Sequence, residues 1–212
     1  MISSHWIFPI KPHTISIYRL GDLIMLNNLC EYEENQILKD YPNSFGSKYI
    51  LEKKNNNTAN NIDIITKIVL ECIEQKSIFL PKDISDSTLI HVRLGDVVAG
   101  NTWHEKEKRP LQIDYIKSLL INDNNKKYII GKCFFAMYSS TNYDECIHAS
   151  NEYLQNVINE INAEHFNSGN ADIDLCCAVK SKIFIQGKGY FSKLIVEIRK
   201  KLNLNSIETD II

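Results

Sequence analysis

Two short stretches combine residue types that bind phosphate. In "IHVRLGD" (90–96) an apolar run ends in His91, Arg93, Gly95 and Asp96. On an extended chain His91 and Arg93 share one face, with Val92 and Leu94 on the other. A guanidinium at a strand's end suits a phosphate or diphosphate, because its planar fork bonds two oxygens at once. Gly95 allows a tight turn, Asp96 can accept loop N–H groups or hold the fork, and His91 can orient the loop. The second stretch is "IFIQGKGYFSKLI" (183–195), a strand that runs through glycines into a helix. The free N–H groups at a helix start carry partial positive charge and attract anions. Gly187 and Gly189 let backbone approach a phosphate, Lys188 adds charge and Ser192 adds a hydroxyl. The pattern is neither GxxxxGK[ST] nor GxGxxG. Each stretch alone also fits a plain structural role: a strand closed by an Arg–Asp surface pair, and an ordinary strand–turn–helix. A nucleoside-diphosphate sugar needs both, since its departing diphosphate gains charge in the transition state and preorganised donors there are catalytic.

Three further signals compete for attention. RLGD also occurs at 19–22, where Arg19 and Asp22 follow "TISIY". The helix expected directly after Asp22 has no counterpart after Asp96, so the echo reads as shared strand-ending chemistry rather than a repeat. Arg19 and Asp22 are candidates for the acceptor side of a cleft. "DID" at 172–174 has the form of paired carboxylates that hold a divalent ion against a diphosphate, although it follows a polar loop rather than an apolar strand. "GNTWHEKEKRP" (100–110) is expected to be a long polar loop in which Trp103 and His104 could close over a sugar.

The elements that must position these groups follow from periodicity. Strands are expected at 14–18 and 88–92, with one or two more in "YIIGKCFFAMYSS" and one within "LCCAVKSKIFIQ", at 183–185; Cys176 and Cys177 are read as pointing to opposite faces of a strand. Helices are expected at "GDLIMLNNLCEYEENQILKDY", "IDIITKIVLECIEQ" (capped by Asn61 or Asp63), "LQIDYIKSLLI" starting at Pro110, "DECIHASNEYLQNVINEINAEHF" and "FSKLIVEIRKKL". From residue 88 strands alternate with helices, which argues for an α/β domain with a parallel, Rossmann-like sheet. Ligands of such sheets sit beyond the carboxyl ends of the strands, where both phosphate-suited loops fall. The chain is expected to divide into a reduced N-terminal α/β region, 1–80, and a nucleotide-sugar-binding domain, 81–212.

Composition sets the bounds. The 212 residues contain 44% hydrophobic side chains and carry a net charge of −2, so no nucleic-acid partner is indicated. The six cysteines form no CxxC pair and read as reduced, buried thiols; no zinc-binding spacing occurs. No run is long and apolar enough for a membrane span, and residues 1–13 lack the order of a signal peptide, so a soluble, cytoplasmic protein is expected.

"IHVRLGD" resembles the HxRRxD-type motif of the α1,2-, α1,6- and protein-O-fucosyltransferase superfamily. "ADIDLCCAVKSKIFIQGKGYFSKLI" is similar to the closing motif of that superfamily: an aspartate, a strand, then a small-residue turn with an aromatic–Ser pair before a helix. The likeness covers about residues 85–200. The second arginine of the motif is Leu94 here. The resemblance implies a GT-B-like fold and an inverting glycosyltransferase that uses GDP-fucose, with no bound metal or other cofactor and a glycan or protein hydroxyl as acceptor. It implies that Arg93 grips the diphosphate, Asp174 contacts the nucleoside, and Phe191 and Ser192 contact nucleotide and phosphate. No carboxylate is marked as general base; Asp22, Asp96 and Glu105 are the candidates. Two other readings remain: a non-catalytic nucleotide or glycan binder, and a metal-dependent GT-A transferase using Asp172 and Asp174.

Overall fold

The computed structural model describes residues 30–40, 42, 45–56, 61–100, 102–134 and 142–209. Helices α1 (Glu31–Asp40), α2 (Phe45–Asn55) and α3 (Asn61–Lys76) come first, followed by single 3-10 turns at Ser77–Phe79 and Ile84–Asp86. Strand β1 (Thr88–His91) continues into β2 (Leu94–Gly95), then α4 (Asp96–Ala99), α5 (Trp103–Glu107) and α6 (Ile113–Leu119). Next come β3 (Lys127–Ile130), β4 (Cys133–Phe134), α7 (Tyr143–Ile161) and β5 (Glu164–His165). The order closes with α8 (Ala171–Lys180), β6 (Ile183–Ile185), α9 (Tyr190–Lys201) and β7 (Ser206–Ile207).

The strands form a five-stranded sheet in the order β5-β3-β1-β6-β7, with every pairing parallel. Beyond it β2 and β4 make a second, two-stranded parallel ladder. The α/β architecture expected from the alternation is present. Buried parallel strands face apolar layers on both sides, and here the two faces can be read from alternate residues. Leu89, Tyr128, Ile130 and Phe184 share a core with residues of α1, α2, α3, α8 and α9. Ile90, Ile129, Ile185 and Ile207 pack instead with residues of α6 and α7. His91 is in register with Ile130, so it belongs to the first face. The helices between 31 and 76 bury Ile37, Tyr49, Ile68 and Val69 in the same core as Leu175 and Phe184. Among the described residues no helix is long and apolar enough to cross a membrane.

Several local expectations are corrected. The strand at 183–185 is present as β6, but residues 171–180 are helical where Cys176 and Cys177 were expected on a strand: Asn170 caps this helix by accepting from the Asp172 N–H, and tertiary packing takes its apolar side. Cys176 and Cys177 therefore do not alternate across a strand; both turn inward and are fully buried. The loop expected at 100–110 holds α5, set up by a capping box between Thr102 and Glu105. Pro110 lies ahead of α6 instead of opening it, and Gln112 is the cap position. Strands β5 and β7 escaped notice because two residues show no periodicity. The strand expected at 14–18 lies outside the described residues.

Candidate active site

Strand β1 delivers His91 and Arg93 to the carboxyl edge of the sheet, and β6 delivers the Gly187–Gly189 turn to the same edge, one strand away. The two loops touch. A β-carbon at Gly187 would lie 2.2 Å from the His91 carbonyl oxygen and 2.6 Å from its Nδ1. One at Gly189 would lie 3.0 Å from Arg93 Nη1, and Gly189 has φ +100, a region that side chains disfavour. The glycines thus let the turn lie directly against the histidine and the arginine.

His91 is 8% exposed, and its ring packs against Phe191, 5.5 Å between centroids. Burial, with the charge of Arg93 adding to it, pushes the imidazole down to about 3, so it is neutral at working pH. Its Nδ1 has no hydrogen-bond partner among the described residues. Arg93 remains partly open, its side chain 21% exposed, and Nη2 stands 3.9 Å from Asp96 Oδ1. Burial lowers its pKa and the carboxylate opposes that shift. A guanidinium is charged in either case.

The loop behind Arg93 is braced from α7. The Gly95 N–H donates to Ser150 Oγ at 2.9 Å, and φ +95 at Gly95 turns the chain into α4. Asp96 is buried at the start of that helix. On the β6 side the Ser192 hydroxyl, itself fully buried, accepts the Gly187 N–H at 2.9 Å. Ser192 therefore holds the shape of the glycine turn from inside. Lys188 reaches the Thr209 carbonyl at 3.3 Å, and Thr209 donates to the Gln186 carbonyl, tying the turn to the segment after β7.

Asp174 approaches from α8. Because β5 ends and β6 begins at opposite edges of the parallel sheet, the first turn of the connecting helix sits at the carboxyl edge. Asp174 is 8% exposed, and its carboxyl accepts from Ser168 Oγ at 2.6 Å. Burial raises its pKa to about 6, against the smaller opposing effects of Ser168 and Lys132. Asp172 and Asp174 are both on this first turn, roughly 200° apart around the axis. They do not form the convergent pair that "DID" resembled in the sequence.

Of the proposed base residues, Glu105 is buried and engaged with the backbone: its carboxylate accepts the Thr102 N–H at 2.7 Å. Asp96 faces Arg93 as described. Trp103 stands 69% exposed at the start of α5. Arg19, Asp22 and the side chain of His104 lie outside the described residues. Sequence reading overlooked four participants at this edge: Ser150, Lys132, Gln186 and His165, whose Nε2 donates to the Gly131 carbonyl at 3.2 Å. Only Gly131-Lys132, a glycine and a cation directly after an apolar strand, carried the kind of signal used for the other two loops.

No family model, no curated protein and no solved structure matches this chain.

Proposed function

We propose that this chain is a glycosyltransferase of the fucosyltransferase type, with a GT-B-like design, that takes a sugar from a nucleoside-diphosphate donor, GDP-fucose by resemblance, and passes it to a glycan or protein hydroxyl with inversion and without a metal. One observation carries the reading. Two loops distant in sequence, each suited to phosphate by its own residues, lie against each other at the carboxyl edge of a parallel sheet, with Gly189 directly on Arg93. The neutral, buried His91 beneath them supports the same reading, since it adds a polar atom there without a competing charge.

In this reaction the acceptor oxygen attacks the anomeric carbon from the face opposite the diphosphate. The bond from that carbon to the diphosphate oxygen breaks, its electron pair leaves with the diphosphate, and the acceptor proton passes to a base. Arg93, Lys188 and the N–H groups at the start of α9 stabilise the charge that collects on the leaving group. Removing one such donor costs about 3–4 kcal/mol of transition-state stabilisation. Asp174 reaches toward the nucleoside, and Trp103 and the 19–22 segment serve the acceptor side.

The test is a thermal-shift screen of nucleotides and nucleotide-sugars with and without chelator, since a ligand that binds only the folded state raises its stability. GDP and GDP-fucose are expected to raise Tm with chelator present, and Arg93→Ala is expected to abolish the shift. A shift confined to UDP-sugars with Mn²⁺ would overturn the proposal. A second reading, a non-catalytic binder, is favoured by the engagement of Glu105 in its helix cap and Asp96 beside Arg93, which leaves neither free as a base. Hydrolysis of GDP-fucose by the wild type, lost in Arg93→Ala, would exclude it.

A further inference from the structure

The register of the sheet sets a second cation opposite Arg93. Strand β1 pairs with β3 up to His91 and Ile130, and β2 pairs with β4 from Leu94 and Cys133. Both registers, continued by two residues or by one, align Arg93 with Lys132. The two-residue break between β1 and β2, Val92 and Arg93, thus faces the two-residue break Gly131 and Lys132. The strands stay close through the break: Val92 N–H donates to the Ile130 carbonyl at 2.9 Å, and a β-carbon on Gly131 would meet the Val92 carbonyl at 2.3 Å. In-register residues of neighbouring strands project to the same face. For this pair it is the face that carries α8 and α9, hence the face of Gly189 and Asp174.

Like charges directly opposite each other on neighbouring strands destabilise a sheet. The arrangement is tolerable at the carboxyl edge if an anion lies between the two cations. Asp96 stands beside Arg93 at 3.9 Å, and the charge of Lys132 acts to lower the Asp174 pKa, but Asp174 is already committed to Ser168. Lys132 is exposed and has no hydrogen bond or ion pair among the described residues. On the other side of β1, the β1–β6 register carried three residues past Ile90 and Ile185 aligns Arg93 with Lys188. Three adjacent strands therefore end in Lys132, Arg93 and Lys188, each just beyond its last paired residue. The neighbour of Arg93 within its own motif, Leu94, is buried in the core and contributes no charge.

We infer that Lys132 is the second arm of a diphosphate clamp, binding one phosphoryl group of the donor while Arg93 and the glycine turn bind the other. This rests on the proposed donor class, and it adds a binding residue from β3 that neither phosphate-suited motif contains. A lysine reaches a phosphate as a point charge, without the paired geometry of arginine. The clamp should therefore depend on a second phosphoryl group being present and tolerate exchange of Lys132 for arginine.

The test is calorimetric titration of wild type, Lys132→Ala and Lys132→Arg with GDP, GMP and inorganic pyrophosphate at one ionic strength, after matching Tm values confirm folding. Lys132 is exposed, so truncation leaves the core intact. Lys132→Ala should weaken GDP and pyrophosphate about tenfold and GMP by less than about threefold, and Lys132→Arg should restore both diphosphates. GDP binding unchanged in Lys132→Ala would overturn the clamp while leaving the donor proposal standing. Equal losses on GDP and GMP would also overturn it. Wild type that binds pyrophosphate through Lys132 but not GDP would support the clamp and overturn the guanosine donor. Wild type that binds neither would overturn both.

Discussion

Two arginines mark the two edges of the same sheet, and their surroundings are opposite. Arg199, in the last turns of α9, lies at the amino edge and is fully buried. It makes seven hydrogen bonds, to the carbonyls of Ala178, Val179, Ser181, Lys182 and Asn205 and to the hydroxyls of Ser181 and Ser206. One guanidinium thus satisfies the orphan carbonyls at the end of α8 and joins them to the starts of β6 and β7. Its pKa is pushed down by burial, to about 10, and its charge survives because its donors are matched. Arg93 at the carboxyl edge is partly open, Asp96 Oδ1 stands 3.9 Å from its Nη2, and a glycine turn with positive φ lies against it. The amino edge is built for stability. The carboxyl edge instead brings a partly exposed cation, a buried neutral histidine and the start of α9 together around a glycine turn, the kind of local departure from structural rules that a functional site shows.

The sharpest way to break this comparison is to truncate each arginine. Arg199→Ala should destabilise the protein by about 3–5 kcal/mol, because several buried carbonyls lose their donor at once. Arg93→Ala should change stability by under about 1 kcal/mol while removing nucleotide binding. Urea denaturation of both variants reads the difference, and similar losses would erase the distinction between the edges.

Gly187→Ala should cost about 1–3 kcal/mol, since the added methyl meets the His91 carbonyl at 2.2 Å and the strand backbone cannot yield cheaply. It should also weaken GDP binding by displacing the turn from Arg93. Stability and affinity measured on the same variant test whether the two loops act as one unit.

The buried carboxyl of Asp174 is a site where position costs stability. Its pKa is raised in the folded state to about 6, so the folded protein binds the extra proton between about 4 and 6. Its contribution is therefore fully present below the unfolded value and is lost as pH rises through about 6. Asp174→Asn should raise stability by about 3 kcal/mol at pH 8 and leave it nearly unchanged at pH 4. His91 has the opposite slope: its pKa is depressed to about 3, so its contribution is present at neutral pH and fades as pH falls from about 6.5 toward 3. Thermal denaturation from pH 4 to pH 8 separates the two. If Asp174 serves the nucleoside, the same Asp174→Asn substitution should weaken GDP binding while stabilising the fold.

The smallest effect is expected at the capping box. Glu105→Gln keeps a side chain able to accept the Thr102 N–H and should shift stability by no more than about 1 kcal/mol, with turnover on GDP-fucose unchanged. Loss of turnover with stability retained would make Glu105 the missing base.

The α/β class is legible in the chain from its alternating apolar and amphipathic segments. Apolar runs bounded by polar helices specify buried parallel strands, and Arg93, Gly187, Lys188 and Gly189 stand out at strand ends because their residue types and spacing are local features. Sequence reading misplaced 171–180, where a run of apolar residues and cysteines reads equally as strand or helix; the Asn170 cap and the packing against α3 decided the matter. It also read Ser192 as a ligand donor; the structure adds that its oxygen accepts the Gly187 N–H and so shapes the glycine turn. Which edge each loop occupies, the contact of Gly189 with Arg93 and the alignment of Lys132 with Arg93 come from the folded arrangement. Those facts depend on strand order and register, which arise from packing between segments far apart in the chain and leave no local trace in any one of them.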